Sequence, residues 1–192
     1  MNDDDEPQPN EPFEEDAEEE EFFFVEVGEP IPEELYSEYE ERPFKTCTRC
    51  GETLVDFEEG FQVAKVFRAG EAVFEYALCV PCHVAMQEEF SEETKQRMEK
   101  FFAENVKPHL GIGTCAVCET DREDLEQDEF SVTGICGGEL MMQGFMLCAP
   151  CIEQTNDLVS QKTRDVWRDF IDENFPGVPA DALPDPSQVP VF

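Results

Sequence analysis

The sequence predicts an α+β protein in which one small module occurs twice, behind an acidic N-terminal arm. Eight of the nine cysteines form four Cys-x-x-Cys pairs. The first pairs of the two sets lie 68 residues apart, and the second pairs lie 69 apart. Aromatic, proline and serine positions between the pairs repeat at the same interval. This indicates an internal duplication and one shared fold for both halves.

The duplication divides the chain into five segments. We expect an acidic arm over 1–41, a first module over 42–107, a linker over 108–112, a second module over 113–175 and a proline-rich, extended tail over 176–192. No stretch approaches the roughly 18 apolar residues that a membrane span needs.

The arm carries 19 Asp or Glu and no Lys or Arg. Self-repulsion and scarce apolar surface predict that most of it is disordered. Within it, residues 22–27, which run from Phe22 to Val27, have strand propensity. They either add to the sheet edge of a partner or cover a patch of this protein, and the sequence leaves both readings open. Residues 33–41 could form a short helix with Leu35 and Tyr39 on one face.

Each module is expected to begin with a knuckle and a β-hairpin. Gly51 suits the tight turn after Cys50 because glycine tolerates positive φ, whereas the second copy has Glu119 there. In the first hairpin, alternation predicts one shared face, and residues 68–71 form the turn. The face consists of Phe61, Val63, Lys65 and Phe67. The second hairpin is expected to be looser, because several glycines lie in or near its strands.

Two helices complete each module. The second Cys pair opens the first helix, with Pro81 or Pro150 in its first turn, where a missing N–H costs nothing. Ser91 and Ser160 are expected to cap the next helix. That helix carries an apolar stripe with a spacing of three and four. The stripe comprises Met98, Phe101 and Phe102 in the first copy, and Val166, Trp167, Phe170 and Ile171 in the second. We assign it to the core, including the seam between the copies.

Paired cysteines at this spacing predict metal binding, since two thiolate pairs complete a tetrahedral sulfur cage for Zn²⁺. The acidic start, Met1-Asn-Asp-Asp-Asp, is unlike an export signal. We therefore expect a cytoplasmic protein with reduced thiols, in preference to a secreted, disulfide-bonded one. A thioredoxin-like redox site would need only one pair within a βαβ unit.

The order of knuckle, hairpin and helix-opening Cys pair resembles the treble-clef zinc fingers, over about 130 residues. The resemblance implies two structural zinc ions. One would be held by Cys47, Cys50, Cys79 and Cys82, and the other by Cys115, Cys118, Cys148 and Cys151. A cross-braced arrangement, pairing Cys47/Cys50 with Cys115/Cys118, would resemble RING-type domains. A complete set in each copy favours the sequential grouping. Treble clefs serve many functions, so the fold alone does not name one.

Composition favours a binding protein over an enzyme. The net charge of -34 would repel nucleic acid and anionic lipid, and would attract a basic partner protein. Four cysteines per zinc leave no open coordination position, and His83 and His109 form no evident catalytic set. We expect Cys136 to be a free thiol beside a turn. We therefore predict a non-catalytic adaptor. The alternative is a nucleic-acid-associated or nucleic-acid-mimicking factor, in which direct binding would require Lys95, Arg97, Lys100 and Lys107 to cluster.

Overall fold

The computed structural model describes residues 28–125 and 128–177, and in these ranges it has five antiparallel strands and four α-helices. The strands are β1 (Glu29–Pro30), β2 (Phe61–Arg68), β3 (Glu71–Cys79), β4 (Glu129–Gly137) and β5 (Leu140–Cys148). The helices are α1 (Val80–Glu89), α2 (Glu92–Asn105), α3 (Ala149–Asn156) and α4 (Gln161–Asn174). The α+β prediction is confirmed. The predicted strand over 22–27 and the tail beyond 177 lie outside the described residues.

Both hairpins belong to one sheet, with the strand order β1-β5-β4-β2-β3. They are joined where β2 pairs antiparallel with β4. In this pairing Ala64 faces Thr133, which is its own counterpart 69 residues later. An antiparallel register lets only one pair of equivalent positions face each other, so this pair marks an axis of approximate twofold symmetry. The copies thus bury against each other the strand edges that each would expose alone.

The helices cover one face of the sheet, and the second helix of each copy packs on the hairpin of the other. From the second copy to the first, the ring of Trp167 on α4 lies 5.8 Å from the ring of Tyr76 on β3, centroid to centroid. From the first copy to the second, the ring of Phe102 on α2 lies 6.4 Å from the ring of Phe145 on β5. The apolar stripes therefore form the seam between the copies, and neither half completes its core alone.

Helices α2 and α4 begin side by side at the axis. Ser91 and Ser160 cap them as predicted, accepting bonds from the N–H groups of Thr94 and Thr163 at 3.1 and 3.4 Å. The Oγ atoms of the two serines lie 2.7 Å apart, and Thr163 Oγ1 donates to Thr94 Oγ1 at 3.1 Å. Each serine N–H also donates to the threonine of the other copy. These four residues form what we call the hydroxyl junction.

Residues 28–42 cover the other face of the sheet. β1 pairs with the start of β5, and Leu35 is 0% exposed. A Cβ atom built on Gly134 would lie 2.4 Å from Leu35 Cδ1, so only glycine leaves room for this contact. Beside it the buried amine of Lys65 donates to Tyr36 O at 2.6 Å and to Glu38 at 2.8 Å.

The structure differs from our expectation of disorder for 28–41. Net charge predicted a solvated chain, yet Ile31 and Leu35 are buried and hold this segment on the sheet. The predicted helix over 33–41 is wrong, because only a 3₁₀ turn at Glu33–Leu35 forms. Tyr39 is 94% exposed and does not share a face with Leu35.

The hairpins follow the predicted pattern, except that Cys136 lies inside a strand and not beside the turn. Ala69 and Gly70 form the first turn at φ of 51° and 80°. The second hairpin is as long as the first, with a register shift between Ile135 and Cys136. Cys136 is free but lies within β4, buried opposite Phe61. It occupies the position of Phe67 in the first copy.

Candidate metal centres

The first centre gathers four sulfurs from three elements. Cys47 and Cys50 lie on the knuckle before the hairpin, Cys79 ends β3, and Cys82 lies in the first turn of α1. Their Sγ atoms all lie within 4.8 Å of one another. Cys50 Sγ and Cys79 Sγ are 3.9 Å apart. In a tetrahedron with Zn–S bonds of about 2.3 Å, two sulfurs lie about 3.8 Å apart. This cluster therefore has the size of a four-coordinate site.

The second centre repeats the first. The Sγ atoms of Cys115, Cys118, Cys148 and Cys151 lie within 4.8 Å of one another, with 3.5 Å between Cys118 and Cys148. The eight cysteines thus gather in the sequential grouping, and the cross-braced one is not formed. Cys50 and Cys118 are the exposed members of the two clusters, whereas Cys47 and Cys115 are buried.

The two knuckles have the same backbone. The N–H of Cys47 donates to Glu52 O at 2.8 Å, and the N–H of Cys115 donates to Thr120 O at 2.8 Å. Gly51 has a φ of 76° and Glu119 a φ of 63°, both in the left-handed region. The replacement of glycine therefore leaves the second knuckle intact. Glu119 holds a conformation that side chains disfavour, and it forms an ion pair with Lys107.

Each knuckle is fixed to the edge of the sheet. Thr48 donates its N–H to Ala77 O at 2.7 Å and accepts from the N–H of Ala77 at 3.1 Å. In the second copy the N–H of Ala116 donates to Met146 O at 2.8 Å. These anchors could not be predicted from the sequence, because any residue at the middle of the knuckle can supply a backbone N–H.

Helix starts face the sulfurs. Pro81 and Pro150 lie in the first turns of α1 and α3, as predicted. Cys79 and Cys148 are the N-cap residues, and the N–H of Cys79 donates to Cys47 Sγ at 3.4 Å. Unpaired N–H groups and the helix dipole stabilise negative charge there.

The protonation of the thiols also favours a cation. Burial raises the pKa of Cys47, but backbone N–H groups, led by that of Cys50, outweigh it and bring the pKa to about 7. For Cys118, burial is likewise outweighed, mainly by Thr120, and the pKa falls to about 6. Burial and the neighbouring sulfurs raise the pKa of Cys82 and of Cys151. In each cluster one thiol of the knuckle thus ionises easily, whereas the two thiols at the helix start resist ionisation, as expected where several thiols lie close together.

The other candidate residues belong to neither cluster. His83 is half-buried on α1, where burial lowers its pKa, and His109 is exposed in a 3₁₀ turn. Burial raises the pKa of Cys136 to about 12, which keeps this thiol protonated and unreactive. The four candidate nucleic-acid cations, Lys95, Arg97, Lys100 and Lys107, each form an ion pair with a glutamate.

Comparison with known proteins adds no family. No protein-family model, curated protein or solved structure matches this chain. Among the described residues, no helix combines the length and the apolar character needed to cross a membrane. The site therefore has to be interpreted from its own geometry.

Proposed function

We propose that this chain is a non-catalytic protein-interaction protein, held together by two structural zinc ions in treble-clef-like modules, that binds a partner with a basic surface. The observation that carries the proposal is the pair of four-cysteine clusters in an acidic body. A cytoplasmic location belongs to the proposal, because thiols stay reduced there.

Zinc is the metal that the donor set favours. Four thiolates suit Zn²⁺ or an iron–sulfur cluster, whereas Mg²⁺ and Ca²⁺ prefer oxygen. The separations of 3.9 and 3.5 Å between sulfurs bracket the value for a single zinc ion. Each cluster ties a knuckle, a strand end and a helix start together. The ion would therefore stabilise the fold directly.

A binding role follows from how the ligands and charges are used. Four cysteines per ion leave no coordination position for water or substrate. In the described part of the chain, ten of the thirteen Lys and Arg side chains form ion pairs with carboxylates. Few cations are left to contact phosphates, and the excess of carboxylates favours a basic protein as partner.

Metal analysis tests the first half of the proposal. Purified protein should contain two zinc ions per chain. Cys47→Ser should lower the content to about one, because three sulfurs hold zinc weakly. Cys136→Ala is the matched control, since this cysteine lies outside both clusters, and it should keep two. Chelation should abolish the cooperative unfolding transition of the whole body, because the copies share one sheet. Native circular dichroism after complete zinc removal would contradict the proposal.

Affinity capture tests the second half. The full chain and a chain lacking residues 1–27, both loaded with zinc, are immobilised and exposed to extracts of the native host treated with nuclease. We expect a basic protein to be retained at about physiological salt and released at high salt, since exposed charges are screened. Retention of no protein, or retention of nucleic acid from a parallel extract without nuclease treatment, would contradict the proposal.

A further inference from the structure

A groove lies between α1 and α2 of the first copy. It has a volume of about 550 Å³, within the range of pockets that hold ligands. The buried side chains of Phe90 and Met98 line it, together with half-buried Phe102 and with Val84, which is 46% exposed. An apolar surface of this size is left open to solvent, although it adjoins the core.

The second copy has a larger side chain at the equivalent position of its helix. Trp167 occupies the position that matches Met98, and it is 1% exposed. Its ring packs against Tyr76 and Phe170, with centroid distances of 5.8 and 5.5 Å. Glu153 matches Val84, so the second copy has a charge where the first has an exposed apolar side chain. The two copies have therefore diverged at this surface while keeping the same fold.

The charges around the groove fit a cationic occupant. Glu88 and Glu99 line it and are exposed, and within the described ranges neither carboxylate forms an ion pair. Among the described residues of the lining the one cation is Lys95, which pairs with Glu92 at 2.9 Å. In the second copy Arg168 stands at the position of Glu99.

We propose that this groove docks an amphipathic segment of a basic protein partner, with an apolar side chain in the groove and Lys or Arg beside Glu88 and Glu99. An amphipathic helix laid between two helices is a common form of such recognition. The inference rests on the proposed function, since it names the surface that the basic partner contacts.

The test uses a synthetic amphipathic helical peptide of about 15 residues with leucine on one face and lysine on the other. A peptide of the same composition in an order without amphipathicity is the peptide control. Binding to the full zinc-loaded chain is measured by fluorescence anisotropy at about 150 mM salt, where exposed charges are largely screened. We expect the amphipathic peptide to bind more tightly than its control.

Two variants take their new residue from the second copy. Met98→Trp should fill the groove and lower the affinity for the amphipathic peptide about tenfold, a loss that corresponds to about 1.4 kcal/mol. Glu99→Arg should lower this affinity several-fold, because arginine repels the lysines of the peptide. Glu58→Arg is the matched control, because it makes the same charge change at an exposed position outside the groove. Zinc content and circular dichroism establish that Met98→Trp is folded, and Glu99→Arg tests the groove through a surface position.

Two results with the full chain and its variants would overturn the inference. One is equal affinity for both peptides. The other is amphipathic binding that both variants leave unchanged. If that binding is lost on removing residues 1–27, the acidic arm is the binding surface, and the proposed function survives without the groove. If the full chain does not bind the amphipathic peptide and the chain lacking residues 1–27 does, the arm itself occupies the groove. That result also overturns docking of a partner by the intact chain.

Discussion

The contact between Leu35 and Gly134 gives the sharpest test of the fold. Gly134→Ala would place a Cβ atom 2.4 Å from Leu35 Cδ1, and Leu35 has no solvent-exposed surface into which it can turn. Such overpacking typically costs about 1–3 kcal/mol in the free energy of unfolding. Leu35→Ala removes the opposing atom and leaves a cavity, which costs about 2–5 kcal/mol.

The double variant isolates the contact. With alanine at position 35 the clash is gone, so Gly134→Ala should then cost nothing or stabilise the strand slightly. We expect a coupling free energy of about 1–3 kcal/mol, which is the cost of the clash that Leu35→Ala removes and lies within the usual range for residues in contact. Urea unfolding followed by circular dichroism, with zinc in excess, measures all four proteins. Additive effects of the two substitutions, or a stable Gly134→Ala variant, would refute the packing of residues 31–36 on the sheet.

Three further predictions concern the knuckle, the hydroxyl junction and the ninth cysteine. Gly51→Ala should destabilise by about 1 kcal/mol through its positive φ alone, since no atom lies within 4 Å of the added Cβ, and Glu119→Gly should act in the opposite direction; equal melting temperatures would contradict this. Thr163→Val should cost about 1–3 kcal/mol, because the N–H of Ser91 loses its acceptor, whereas Thr163→Ser should retain most of the stability in thermal unfolding. Iodoacetamide at about pH 8 should leave Cys136 unmodified in the native protein and modify it after denaturation, as read by mass spectrometry, because burial raises the pKa of this thiol to about 12.

The cysteine clusters could be predicted because their spacing is local. A knuckle, a hairpin and a helix start bring two Cys pairs together within one copy, so the grouping needs no knowledge of how the copies meet. The alternation at Phe61, Val63, Lys65 and Phe67 likewise identified a strand face. These patterns arise from short-range geometry, which the sequence expresses directly.

The joining of the hairpins could not be predicted from the same patterns. A strand edge pairs through its backbone, so neither β2 nor β4 carries a side-chain signal for its neighbour. Lys65 makes this pairing harder to predict, because a lysine in a strand indicates a face that is exposed to solvent. Its side chain is 0% exposed, with its amine held by Glu38, Glu75 and Tyr36 O. The charge of the sequence likewise hid the apolar anchors at Ile31 and Leu35.

Because the two copies share one sheet, the surface of one copy can diverge from that of the other while the fold is kept. A helix of each copy packs on the hairpin of the other, so both copies contribute side chains to one shared core. Trp167 is larger than its counterpart Met98, and in the first copy an apolar groove lies open beside Met98. In a protein with one copy, the same vacancy would weaken the only core present. If the proposed groove binds a partner, duplication separates stability from binding. Met98→Trp tests that separation, because it should raise thermal stability while it weakens binding of the peptide.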